Sequence, residues 1–146
     1  MTLNNPFMGA GDVPSYQMSG VPFVTSSQPL EVSEALKIEF PNVTRFINIT
    51  NTGANPLRIG FTLNGVTGSG GSVSGSLHEQ TADHSNYFVL MGNTQSSRLE
   101  LRVKEIYFAE HYPATPGSFS LIAGITPIKS SMFPTLTGSA GYVGVG

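Results

Sequence analysis

The sequence predicts an all-β fold, and three observations lead to this prediction. Short segments alternate between apolar and polar residues, as strands with one buried face do. Clusters of Gly, Pro, Asn and Ser separate these segments, and no stretch has a convincing helical period. About eight such strands in a chain of 146 residues predict one antiparallel domain, built as a sandwich, a jelly roll or a closed barrel.

Four predicted strands lie in the first half of the chain. Pro22 places the first of them at a sheet edge or a strand start, because proline has no backbone N–H to donate. The second and fourth strands alternate apolar residues with charged or small ones, and the third is rich in β-branched residues. A turn cluster at 51–56 separates the third from the fourth. These strands span residues 21–25, 36–40, 43–51 and 57–63.

Four more strands are predicted in the second half. The run at 87–91 is continuously apolar, which is typical of a strand buried on both faces. In the next strand leucine and valine alternate with charged residues until the alternation slips by one residue near Lys104 and Glu105. Such a slip predicts a bulge or a corner at that point. The four strands span residues 87–91, 99–103, 106–108 and 119–125.

The predicted domain spans residues 21–128, with an extended arm at 1–20 and an extended tail at 129–146. Gly and Pro interrupt both flanks, and neither has a strand or helix period. Two alternatives stay open for the N-terminal arm, which either docks on a neighbouring molecule or is a disordered terminus. Residues 64–85 form a long Gly/Ser-rich loop that is predicted to be mobile. The predicted core consists of Leu36, Ile38, Ile47, Ile49, Leu57, Ile59, Phe61, Leu99, Leu101, Phe119 and Leu121.

Charged residues are scarce, and this limits the classes of partner. They make up 11 % of the chain, against about 25 % in a typical soluble domain. The net charge of −2 predicts weak repulsion between copies, which favours assembly. Seven basic residues are scattered from Lys37 to Lys129 and form no cluster, so no nucleic-acid partner is expected. The absence of basic residues before Lys37 argues against a secretory signal or a transit peptide, and no apolar stretch is long enough for membrane insertion.

Few residues are available for catalysis. The absence of cysteine excludes disulfides, thiolate metal ligands and cysteine nucleophiles. Four glutamates lie among basic neighbours in or beside predicted strands, where solvated charges are common, and nothing marks a pair of carboxylates facing each other across a cleft. No catalytic residue, no cofactor and no enzymatic activity are therefore predicted. The four glutamates are Glu34, Glu39, Glu100 and Glu105.

The densest polar cluster, His78-Glu79 and Asp83-His84, lies in the loop at 64–85. Imidazole and carboxylate groups suit zinc or manganese, so His78 and His84 are candidate metal ligands. Holding ligands in a flexible loop carries an entropic cost, which favours a solvated loop without a metal. A ring of these histidines around a symmetry axis is the one arrangement that would favour a metal site.

Three segments in order resemble one protein family. They are FPNVTRFINITNTGANPLRIGFTLNGV at 40–66, NYFVLMGNTQSSRLELRVKEIYFA at 86–109 and GSFSLIAGITPI at 117–128, followed by a Gly-rich tail. Together they resemble the penton proteins of large icosahedral double-stranded DNA viruses, most nearly the chlorovirus type. The resemblance covers residues 21–128 and rests on a pattern of strands and turns, without a catalytic signature.

This resemblance implies a single jelly roll that forms homopentamers at the five-fold vertices of a capsid. It implies neighbouring major and minor capsid proteins as further partners, which the terminal arms would contact. The expected location is the capsid vertex of the virion, after synthesis in the host cell cytoplasm. The family has no catalytic residues that could be carried over to this chain.

Other functions fit the same residues. A capsid cement or minor capsid protein would also be an uncharged β domain, and so would a sandwich module that binds carbohydrate or a receptor. Sugar sites usually present exposed aromatic residues, often Trp, but this chain has no Trp. Its candidate tyrosines Tyr87, Tyr107 and Tyr112 lie in or next to predicted strands. A β-sandwich hydrolase is disfavoured because the sequence has no nucleophile elbow.

Overall fold

A computed structural model of the chain describes residues 9–11, 13–17, 20–27, 34–67, 86–96, 98–112, 116–137, 140–142 and 144–145. These residues contain the helices α1 (Val13–Gln17) and α2 (Leu63–Thr67) and the 3-10 helix Ser130–Met132. None of the helices in the described residues is long and apolar enough to cross a membrane. The strands are β1 (Val21–Ser27), β2 (Leu36–Glu39), β3 (Asn42–Asn51), β4 (Leu57–Gly60), β5 (Tyr87–Leu90), β6 (Glu105–Glu110) and β7 (Phe119–Lys129).

The strands form two antiparallel sheets. The first sheet has the order β1-β7-β3, and the second has the order β2-β6-β4-β5. Residues 94–96 and 98–103 run along the side of β3 that faces away from β7 and form the isolated bridges Ile47–Leu99 and Thr50–Gln95. We refer to these described residues together as 94–103. The predicted all-β fold is confirmed as two packed antiparallel sheets.

The core is the apolar layer between the two sheets. The rings of Phe108 in β6 and Phe119 in β7 stack in parallel, with centroids 3.9 Å apart. All of the predicted core residues belong to this layer: six are fully buried, and Leu36, Ile38, Phe61, Leu99 and Leu101 are partly buried against them. The alternation of apolar and polar residues therefore identified the inward faces of the strands correctly.

The slip predicted near Lys104 and Glu105 is confirmed as a corner. Residues 94–103 lie beside β3 of the first sheet, and Glu105 begins β6 of the second. Thr44 in β3 holds the chain just before the corner, because its Oγ1 donates to the Leu101 carbonyl (2.7 Å) and accepts from the Val103 N–H (3.1 Å). The Thr44 side chain thus supplements the backbone bond from its N–H to the Val103 carbonyl (3.0 Å), and the predicted strand at 99–103 forms one bridge to β3, at Leu99, without becoming a regular strand.

The structure corrects the prediction that the strand at 87–91 is buried on both faces. β5 lies at the edge of the second sheet, and Val89 and Met91 are 38 % and 60 % exposed. The outward ring of Tyr87 lies under the guanidinium of Arg58, at 4.6 Å from its centroid. The Arg58 side chain thus covers Tyr87 on this outward face, whereas Val89 and Met91 stay exposed among the described residues.

The prediction that the chain contains no helix is also wrong. The predicted strand at 57–63 ends at Gly60, and Leu63–Thr67 forms α2 because Thr62 caps its first turn. The N-terminal arm is not extended throughout, since Val13–Gln17 forms α1. A five-residue helix is too short to show a helical period in the sequence.

The N-terminal arm crosses the outward face of the first sheet. A Cβ on Gly20 would lie 2.6 Å from the Cα of Gly124 in β7, so the two backbones approach more closely than side chains permit. The side chain of Phe46 in β3 also covers Gly124, since a Cβ on Gly124 would meet the Phe46 ring. The ring of Tyr16 in α1 lies 5.1 Å from the guanidinium carbon of Arg102. The described part of the arm therefore packs on its own domain.

The C-terminal tail also packs on its own domain. Ser130 begins the 3-10 helix and donates from its hydroxyl to the Phe40 carbonyl (2.7 Å). Leu136 packs against the core, and the hydroxyl of Thr62 donates to the Val145 carbonyl. The tail thus runs from the first sheet to the start of α2.

Truncation of the stacked ring in the core tests the sandwich arrangement. We expect Phe108→Ala to lower the free energy of unfolding by about 3–5 kcal/mol, because it removes apolar burial and leaves a cavity against Phe119. Val89→Ala, at a side chain that is 38 % exposed, is the control and should lose less than about 1 kcal/mol. Urea unfolding measures both, and equal losses would contradict the packing described.

The close packing of Phe46 on Gly124 can be tested by substitution at position 124. We expect Gly124→Ala to lower the free energy of unfolding by about 1–3 kcal/mol, because its Cβ would lie 2.7 Å from Cδ1 of Phe46. Gly11→Ala is the control, since a Cβ there meets nothing within 4 Å. In a double-mutant cycle with Phe46→Ala, the double variant should lose less free energy of unfolding than the sum of the losses of the two single variants. Full additivity would show that the ring does not restrict position 124.

Candidate functional site

The predicted metal ligands His78 and His84 lie outside the described residues, as do Glu79 and Asp83. The metal hypothesis for this loop therefore stays a prediction. Among the residues that the structure describes, no three His, Asp or Glu side chains lie close enough to hold a metal ion. His111 is in contact with aromatic rings, with centroids 6.2 Å from Tyr87 and 4.7 Å from Tyr112.

The structure shows how the two ends of segment 68–85 are held. Thr62 caps α2 by accepting a hydrogen bond from the Gly65 N–H (2.9 Å). The Gly65 carbonyl accepts from the Asn86 N–H (3.1 Å), so the chain enters and leaves the segment at neighbouring points. A Cβ on Gly65 would lie 2.6 Å from the Val145 carbonyl oxygen and 2.8 Å from that of Asn86. Only glycine therefore fits where the turn, the loop end and the tail meet.

The cap at Thr62 gives a direct test of this junction. We expect Thr62→Ala to lower the free energy of unfolding by about 1 kcal/mol, because the Gly65 N–H loses its acceptor. It should also speed hydrogen exchange at Gly65, as measured by NMR. Thr62→Ser keeps the hydroxyl and should retain protection at Gly65. Equal exchange rates in the two variants would exclude the capping role.

The outward side of the second sheet carries a cluster of charged residues. The Nζ of Lys37 lies 2.5 Å from Oε1 of Glu39 and 2.9 Å from Oε2 of Glu105. Tyr107 donates from its hydroxyl to Oε1 of Glu105 (3.4 Å). The hydrogen bonds that Lys37 donates to the two carboxylates, above all to Glu39, raise the pKa of Lys37, and the bond that Glu39 accepts lowers the pKa of Glu39. Both groups are therefore charged at neutral pH.

This cluster forms one wall of a cavity of about 480 Å³, which we name the charged cavity. The opposite wall contains Lys104, whose Nζ donates to the Phe133 carbonyl (3.3 Å) and to Oγ1 of Thr135 (3.1 Å). None of the ion pairs of the described residues includes Lys104. The cavity is lined by Lys37, Glu39, Phe40, Lys104, Glu105, Ser130, Ser131 and Thr135.

A second cavity of about 250 Å³ lies near the end of α2, and Arg58 and His111 line it together with Glu34 and Glu110. The guanidinium of Arg58 donates to the carbonyls of Val66 (3.4 Å) and His111 (3.3 Å). Nε of Arg58 and Nδ1 of His111 are buried and lack hydrogen-bond partners. Because solvent does not reach these two atoms, they are not presented to a ligand in this conformation.

The outward face of the first sheet has no charged residue at its central positions. Val24 in β1 and Ile122 in β7 are paired across the strands and are 66 % and 44 % exposed. Their neighbours bond to one another, since the hydroxyl of Ser26 donates to that of Ser120 (3.1 Å). At the edge of this face the Arg98 guanidinium lies 4.1 Å from the centroid of the Phe46 ring, so the uncharged patch is limited to the centre of the face.

The charged cavity was not predicted from the sequence. Glu39 and Glu105 were expected to be separate solvated charges, whereas the structure brings both to the ammonium group of Lys37. Lys37 and Glu39 are two residues apart in a strand, and this spacing places them on one face. Nothing local in the sequence shows that Glu105 and the C-terminal tail join them. Glu100 is a solvated charge, as predicted, and pairs with Arg98 at 2.6 Å with both side chains at least half exposed.

The comparisons with known proteins do not assign a family. No protein-family model matches this chain, and no curated protein and no solved structure is significantly similar to it.

Proposed function

We propose that the chain is a structural virion protein, a single jelly roll whose homopentamers close the five-fold vertices of an icosahedral capsid. The observation that carries the proposal is the order in which the strands pair. Jelly rolls contain eight strands in two sheets and are common in viral capsid proteins.

The pairing order supports a jelly roll when residues 94–103 are counted with the seven strands. Each of the first four segments then pairs with one of the last four in reverse order: β1 with β7, β2 with β6, β3 with 94–103, and β4 with β5. The pairings of β7 with β3 and of β6 with β4 join these pairs into two sheets. A long antiparallel ribbon that rolls up into a double Greek key has this order.

The surface supports assembly of copies. The net charge of −2 keeps the repulsion between copies weak, and the centre of the outward face of the first sheet carries no charge. A ring of copies needs a heterologous contact, in which two different patches of the same surface meet. The uncharged centre of the first sheet and the charged cluster of Lys37, Glu39 and Glu105 on the second sheet are two such different patches.

The proposal includes the partners and the place of action. Neighbouring major and minor capsid proteins would surround the ring at the vertex of the virion, after synthesis in the host cytoplasm. The role is structural, with neither catalysis nor nucleic-acid binding. The described parts of the arm and the tail pack on their own domain, so contacts with neighbours would fall to the outer surfaces of those segments.

Native mass spectrometry of the purified chain over a range of concentrations tests the proposal. We expect a species of five times the 15.5 kDa chain mass, because a penton subunit closes into a ring of five. The same sample in denaturant, which should give one chain mass, is the control for covalent linkage.

A trimer would contradict the vertex role and favour a fibre or tail component. A monomer at all concentrations would contradict self-assembly into pentamers, and it would favour a cement protein or a module that binds carbohydrate or a receptor.

A further inference from the structure

We propose that the charged cavity binds a saccharide unit that carries a carboxylate. This inference is independent of the vertex role, because it rests on the groups that line one cavity of a single subunit. It assigns a ligand class to residues on β2, at the corner before β6 and in the C-terminal tail.

The ammonium group of Lys104 is the anchor for the ligand's carboxylate. An ammonium has three hydrogen-bond donors, and Lys104 uses two of them on the Phe133 carbonyl and Oγ1 of Thr135. Both acceptors are neutral, so they do not compensate its charge. The third donor and the charge are therefore available to an anion inside the cavity.

The opposite wall provides acceptors for hydroxyl groups. Glu39 and Glu105 share the ammonium of Lys37, which compensates one of their two negative charges. A carboxylate accepts at about four lone-pair positions, so each retains capacity beyond the bond to Lys37. Hydroxyl donors of a sugar match these acceptors, and the exposed Ser131 adds a hydroxyl to the lining.

The charge balance selects this class of ligand over simpler ones. Among the described residues of the lining, two lysines and two glutamates sum to zero, so a bare anion attracted by Lys104 also meets the excess negative charge of Glu39 and Glu105 around Lys37. A neutral sugar leaves Lys104 without its counter-charge. A sugar acid satisfies both walls, and the volume of about 480 Å³ falls within the range of about 300–1,000 Å³ typical of small-molecule sites.

The test is an NMR titration of the full-length chain, with amide shifts followed in ¹H–¹⁵N spectra. Sodium glucuronate is the probe, and glucose and sodium acetate are the matched controls for its polyol part and its carboxylate part. We expect glucuronate to shift the amides of Lys104, Ser131 and Thr135. Glucose and acetate should each bind at least about tenfold more weakly, since each lacks the hydrogen bonds made to one charged wall.

Two variants assign the binding to the two walls. Lys104→Met removes the anchor and should weaken glucuronate binding at least about tenfold, with less effect on glucose. Glu39→Gln should weaken glucose binding through the poorer acceptor, and glucuronate binding less, because it also removes the excess negative charge that the ligand's carboxylate meets. Lys129→Met is the control, since this exposed lysine at the end of β7 carries the same charge but does not line the cavity. Thr135→Val separates the anchoring of the tail from the charge of Lys104, and it should retain glucuronate binding.

The proposal is overturned if glucuronate at 50 mM, on the order of the weakest sugar affinities, shifts none of these amides. It is equally overturned if acetate or glucose binds as tightly as glucuronate, or if Lys104→Met binds as the parent chain does. These results leave the oligomeric state untouched, so the failure of this site and the failure of the vertex role are distinguishable.

Discussion

The two sheets are held together by the apolar layer between them. Each sheet has one apolar face, and full burial of one large apolar side chain contributes about 1.5–3 kcal/mol, so the faces must cover each other. The parallel stack of Phe108 on Phe119 lies in this layer and joins β6 of one sheet to β7 of the other. The chain contains no disulfide, and this layer therefore has to offset the loss of conformational entropy.

Except for β4 and β5, consecutive segments lie in different sheets, so the chain needs corners, and the corners determine where its polar groups lie. The corner at Lys104 and Glu105 brings two opposite charges to one end of the second sheet. Lys104 donates a hydrogen bond to the C-terminal tail, whereas Glu105 forms an ion pair with Lys37 on β2. The charged cavity is thus a consequence of the route by which the chain passes from one sheet to the other.

The flanking segments complete the domain. The N-terminal arm lies across the first sheet where two glycines, Gly20 and Gly124, permit close backbone contact. The C-terminal tail reaches the cap of α2, so the ends of the strand region are held to its two sheets. In the proposed vertex ring, these segments would form part of the outer surface that contacts neighbours. The uncharged centre of the first sheet would be a second, chemically different surface.

Because alternation with a period of two is a local signal, the sequence was enough to predict the all-β class, the inward faces of the strands and a bulge or corner at 104–105. It failed where the outcome depends on distant neighbours. The apolar run at 87–91 does not reveal that β5 is an edge strand, and a single capping residue, Thr62, ends a strand pattern that otherwise continues to Leu63. Only the tertiary structure decided that Glu39, Glu105 and Lys104 line one cavity, since long-range pairing sets the distance between residues far apart in the chain.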